Sequence, residues 1–132
     1  MLRLLWTGEG TQFEGEDSWG HRLPIGGEEG GPGSRPADLL PLSLAACTAY
    51  DVVVILQKQR QDLRGLEVEI EAEQDPEAPW RFRRIALRFV ATGDVEKPKA
   101  ERALALAEKS CSVEATVRDC VAIECTIEVV PR

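Results

Sequence analysis

The sequence predicts an α+β fold in which an antiparallel-dominated sheet packs on a long central helix and a second, shorter helix. Three observations carry that expectation. Leu39 to Leu56 is apolar or small at almost every position, as in a helix buried on every side rather than along one stripe. Leu66 to Gln74 and Val121 to Val130 instead alternate between apolar and polar residues, the period of a half-buried strand. In chain order the pattern reads strands, long helix, strands, helix, strand, a grouping that marks an α+β domain.

At 132 residues the chain is expected to form a single domain, 1–132, with its own core. Its parts are N-terminal strands over 1–25, a glycine-rich connector over 26–33, and a helix–strand–strand–helix–strand core over 34–132. Leu2, Leu4 and Trp6 alternate before a Thr7-Gly8-Glu9-Gly10 break, Phe13 falls in a second short strand, and His21, Leu23 and Ile25 alternate in a third. The run GGEEGGPG cannot hold regular structure and reads as a flexible connector. The long helix opens between Ser34 and Asp38. Pro41 sits well in its first turn if Asp38 is the N-cap, but would kink a helix begun at Ser34. Its end is expected around Asp62 to Gly65.

Along the next strand Leu66, Val68, Ile70 and Ala72 face one way and Glu67, Glu69, Glu71 and Glu73 the other. From Trp80 to Ala91 the parity slips. Trp80 and Phe82 are even while Ile85, Leu87 and Phe89 are odd, which predicts a bulge near Arg83-Arg84. Arg81, Arg83 and Arg88 are placed to offset the glutamate row across the ladder. The second helix carries Pro98 in its first turn and a face of Ala100, Ala103, Leu104 and Ala107, which Cys111 continues one turn on. In the last strand Val121, Ile123, Cys125, Ile127 and Val129 share a face.

Charge and hydropathy narrow the function classes. The 16 basic and 23 acidic residues give a net charge of −7, which argues against nucleic acid as a partner. The apolar run is near the lower bound for a membrane span, but it holds Asp51, is flanked by Asp38 and Lys58, and has no companion segment. No membrane partner is expected. The opening MLRLLW is too short for a signal peptide, so the expected location is cytoplasmic.

In a reducing compartment, four cysteines point to reactive, metal-binding or buried thiols rather than structural disulfides. There is no CxxC, the spacings are 64, 9 and 5 residues, and His21 is the only histidine, a poor set of metal ligands. Cys125 points with Val and Ile as a small buried hydrophobe, and Cys120 is given no role. Cys47 and Cys111 lie on helical faces beside small residues: Ala45, Ala46, Thr48 and Ala49 around the first, Ser110 and Ser112 beside the second. That leaves room for something to reach the sulfur. On the residues alone, two buried structural cysteines and a reactive pair both fit.

The run SRPADLLPLSLAACTAYDVVVIL, the charged KQRQD that follows and the later EKSCSVEATV resemble the OsmC/Ohr family, in particular a small-protein branch whose second motif reads EKYCSV. The resemblance extends over essentially the whole chain, including GHRLPI and the connector. It implies an OsmC-like fold, an intertwined homodimer with active sites at the subunit interface, and thiol-dependent reduction of organic hydroperoxides with an external thiol or dithiol reductant. No cofactor, metal or flavin is implied. Carried over by motif, Cys47 matches the peroxidatic cysteine and Cys111 the resolving one. Asp38 stands near the family's glutamate before the long helix. Arg22, in GHR, is the nearest match to the arginine which that acid orients, with Arg35 the next candidate.

A peroxidatic thiol needs a depressed pKa, and burial alone raises it, so a positive partner is expected beside Cys47. Cys111 is expected near a helix C-terminus, where the dipole disfavours thiolate, as suits a resolving thiol. Around Cys47, Ser43, Leu44, Tyr50 and Val54 are mostly apolar, and Trp19 or Leu23 of a second protomer is expected to add to them. The alternative function is a non-catalytic protein of the same fold that binds a small hydrophobic ligand or senses redox state.

Overall fold

The computed structural model describes residues 1–131. The chain divides into two compact units, Met1–Leu40 and the remainder from Pro41 onward.

The first unit holds a three-stranded antiparallel meander, β1 (Arg3–Trp6), β2 (Gln12–Glu16) and β3 (Arg22–Gly26), in the order β1-β2-β3. The connector after β3 is irregular, as its composition requires, but it is not a free tether. The Gly26 amide donates to the Ser34 carbonyl at 2.8 Å and the Ser34 amide to the Pro24 carbonyl at 3.1 Å. Two glycines make that closure possible. Gly26 has φ +82°, and a Cβ on Gly33 would lie 2.3 Å from the Gly26 carbonyl oxygen. Alternating sequence cannot reveal such a pinned loop, because its bonds are all main-chain.

A 3-10 turn, Pro36–Asp38, precedes α1 (Leu39–Lys58). Pro41 therefore falls in the first turn, where its missing N–H costs nothing. α1 stops at Lys58, before the expected Asp62 to Gly65. Arg60 adopts φ +57° and the Gln61 amide donates to the Leu56 carbonyl at 3.0 Å, so a left-handed arginine closes the helix as glycine usually does. Within the chain α1 is not buried on every side. Pro41, Leu44, Ala45, Thr48, Val52 and Leu56 form a buried stripe, whereas Leu42 and Tyr50 are 49% and 72% exposed. By length and apolar composition α1 with its preceding turn would suffice to cross a membrane, a test that the core helix of a globular fold also passes.

The second unit's sheet has the order β4-β5-β6, formed by β4 (Asp62–Gln74), β5 (Phe82–Asp94) and β6 (Ala122–Val130). β4 and β5 are antiparallel. β5 and β6 are parallel, joined by a crossover through α2 (Lys97–Ser110) and α3 (Ser112–Val117). The expected bulge is present: Glu73 pairs with Arg84 and Gln74 with Phe82, leaving Arg83 over. A second slip between Leu63 and Gly65 lets β4 start four residues before the expected Leu66. Ile85, Leu87 and Phe89 of β5 meet Leu44, Ala45, Val52 and Leu56 of α1 and Ala100, Ala103, Leu104 and Ala107 of α2 in one apolar core.

On the sheet's outer face the arginines that offset the acidic rows are Arg84 and Arg88. Arg84 bridges Glu73 at 3.2 Å and Glu124 at 2.6 Å, and Arg88 bridges Glu69 at 3.0 Å and Glu128. Of the three arginines the sequence offered for this, only Arg88 serves. Arg83, displaced by the bulge, pairs with Asp75, and Arg81 donates to the Cys120 carbonyl at 2.8 Å.

Candidate active site

α1 places Cys47, half-buried, on the flank of its core stripe, one residue before Thr48. Cys111 is fully buried in the same core. The row of α2 does not run on through it, because α2 ends at Ser110 and Cys111 is extended, at φ −73° and ψ 114°. Cys111 is at once the C-cap of α2 and the N-cap of α3, and its sulfur accepts a hydrogen bond from the Glu114 amide at 3.3 Å. Cys111 thus stands at the C-terminal end of α2 that the sequence suggested, and its sulfur also caps the N-terminal end of α3.

The restart of the chain at Ser112 builds the surroundings of Cys47. The Cys47 Sγ lies 4.0 Å from the Ser112 Oγ. Burial pushes the Cys47 thiol up, but the Cys111 side chain, the Val113 amide and the Ser112 hydroxyl and amide favour the thiolate and together hold it below the ordinary thiol range. For Cys111 the balance is opposite. Burial, then Cys47, push it up, against smaller help from the Glu114 amide and the Thr48 hydroxyl. Within this unit the Cys47 thiolate is favoured by the Cys111 side chain and by hydrogen-bond donors at the start of α3, which act on it as neutral dipoles.

Since the Cys47 thiol is lowered while those of Cys111 and Cys125 are raised, Cys47 carries the larger thiolate fraction, and iodoacetamide should label it ahead of the other two at pH 7. Ser112→Ala removes one donor, raises the Cys47 midpoint and should slow that labelling about three- to tenfold. Unchanged labelling, followed by mass spectrometry, would show that Ser112 does not support the thiolate.

Cys125 is half-buried, and burial followed by a hydrogen bond with Glu108 pushes its thiol far up. Cys120 is exposed. Arg22 and Asp38 both belong to the first unit, where they take different partners. Arg22 pairs with Glu14 at 3.0 Å and Glu16 at 3.6 Å, whereas Asp38 holds Arg35 at 2.6 Å. The acid expected to orient Arg22 therefore orients the next candidate, Arg35. Among the described residues no group of three or more His, Cys, Asp or Glu side chains is arranged to hold a metal ion. Sequence reasoning missed Ser112 and Thr48 as partners of the thiols. The available signal was a lone hydroxyl beside Cys47 in an apolar run, and a serine directly after Cys111.

Two unequal thiols meeting between a core helix and a capped helix start, on an α+β scaffold, define a dithiol site. The family model described as OsmC-like protein matches residues 27–126, and the chain belongs to that family. It is 39% identical over 132 residues to Protein YhfA of Escherichia coli K12, covering 98% of each. A hypothetical protein from Aquifex aeolicus superposes with a TM-score of 0.89 at 27% identity, covering 100% of this chain and 96% of that one. An organic hydroperoxide resistance protein OsmC from Legionella pneumophila, a predicted redox protein, shares the fold at a TM-score of 0.70 and 19% identity, covering 98% of this chain and 96% of that one. The OsmC-like fold and membership of the OsmC-like family are thereby established.

Proposed function

We propose that the chain is a thiol-dependent peroxidase that reduces organic hydroperoxides to alcohols in oxidative-stress defence, needing no metal or flavin. The observation that carries this reading is the juxtaposition of a depressed Cys47 thiol with a buried, raised Cys111 thiol. The Cys47 thiolate attacks the peroxide's terminal oxygen, the O–O bond breaks, and the alkoxide leaves as an alcohol on taking up a proton. Cys47 is left as a sulfenic acid. Cys111 then displaces water to form a disulfide, which an external thiol or dithiol reduces. Consumption of cumene hydroperoxide, coupled to thiol oxidation and compared between wild type and Cys47→Ser, tests the reading.

The same proposal includes a homodimer. α1 carries more apolar surface than its own unit covers, with Leu42 and Tyr50 left open, and an obligate interface resembles a domain core cut in half. Sedimentation should give a dimer at micromolar concentration; a stable monomer there would contradict it. A guanidinium is expected to add to the α3 donors, supplied by Arg22 or by the Asp38-held Arg35.

A further inference from the structure

Thr48 is the one buried polar residue among the described residues, 1% exposed in a core otherwise built from Leu, Ile, Val, Phe, Ala and Cys. Its Oγ1 is buried and has no hydrogen-bond partner. A helical threonine ordinarily satisfies its hydroxyl on the carbonyl one turn back, and Thr48 does not. Leaving a buried hydroxyl unpaired is destabilising, and valine would fill the same space without that cost. What lies near the hydroxyl is the Cys111 sulfur, itself wholly buried, whose thiolate it favours.

We propose that Thr48 is a positioning residue for disulfide closure, its hydroxyl unpaired in the resting dithiol and donating to the Cys111 sulfur as that thiol ionises. This rests on the peroxidase reading for the source of the sulfenic acid. In the step, a sulfur lone pair of Cys111 forms the S–S bond to Cys47, and the S–O bond of the Cys47 sulfenic acid breaks with its electron pair on oxygen. The proton released by Cys111 leaves with that oxygen as water. Thr48 neither gains nor loses a proton. It supplies the donor that the apolar core around Cys111 lacks, where hydrogen bonds to charge are strongest.

The test compares wild type, Thr48→Val and Thr48→Ser, each given one equivalent of cumene hydroperoxide and, separately, one equivalent of diamide, which drives dithiol closure without peroxide. Cys47–Cys111 closure is followed by quenched-flow mass spectrometry. Thr48→Val should close about tenfold or more slowly with either oxidant, accumulate a dimedone-reactive sulfenic acid after the hydroperoxide, and melt no lower than wild type. Thr48→Ser, which keeps the hydroxyl, should restore most of the rate. Equal closure in all three overturns the role of Thr48, as does a slow Thr48→Ser. Normal diamide closure in a wild type that consumes no hydroperoxide would instead sink the peroxidase reading, with the Thr48 comparison still decided by the diamide arm. A wild type that forms no Cys47–Cys111 bond with either oxidant overturns both.

Discussion

Cys47→Ser should lower organic hydroperoxide consumption by about a thousandfold or more, because it removes the attacking atom itself. A hydroxyl in the same place has a far higher pKa than the thiol, and the donors on α3 cannot bring it into range. Cys111→Ser should behave differently: one equivalent of hydroperoxide is consumed, then turnover stalls with Cys47 as a sulfenic acid or a higher oxide. This split follows from the unequal surroundings of the two sulfurs. Cys47 is half-buried beside Ser112 and the Val113 amide, whereas Cys111 is fully buried at the junction of α2 and α3 with its thiol pushed up. Equal loss of the first turnover in both variants would show that the two thiols do not have separate roles.

The second large effect is expected in substrate preference. The open flank of α1 near Cys47 includes the exposed Tyr50, while Leu44 is turned into the core and cannot line a pocket. An apolar surface gains roughly 25 cal/mol for each Å² of apolar ligand it takes from water. Hydrogen peroxide has no such surface. An aryl hydroperoxide burying about 100 Å² gains about 2.5 kcal/mol, on the order of fifty-fold in kcat/KM if the gain persists in the transition state. If Arg22 or Arg35 supplies the proposed guanidinium, its replacement with Met should lower both substrates together and leave their ratio unchanged. Equal kcat/KM for hydrogen peroxide and cumene hydroperoxide would remove the apolar-surface argument.

Much of the fold was legible because it rests on periodicity. The alternation of β4 and β6 and the parity slip that marks the bulge at Arg83 can all be read from apolar spacing. What could not be read this way depends on the backbone. α1 ends at a left-handed Arg60, where no glycine marks the turn. The connector is pinned by main-chain bonds between Gly26 and Ser34. The early start of β4 is hidden by a bulge that interrupts its alternation.

The pair Cys47 and Cys111 was found through motif resemblance, and Cys111 does stand at the end of α2, but its second role as the N-cap of α3 was not foreseen. Its i+4 spacing from Ala107 extends the α2 row, although the chain breaks there and begins α3. The spacing from Cys111 to Glu114, a cap followed by an acid three residues later, is itself a helix-start signal. The depression of Cys47 comes from the Cys111 side chain, then from amides and a serine hydroxyl, groups that charge patterning does not reveal.

The most direct test of the dithiol chemistry is peptide mapping of the wild-type protein after one equivalent of an organic hydroperoxide. The expected result is a Cys47–Cys111 disulfide with Cys120 and Cys125 still reduced. A Cys120–Cys125 bond, or a Cys47 that remains a free thiol once the peroxide is consumed, would contradict it.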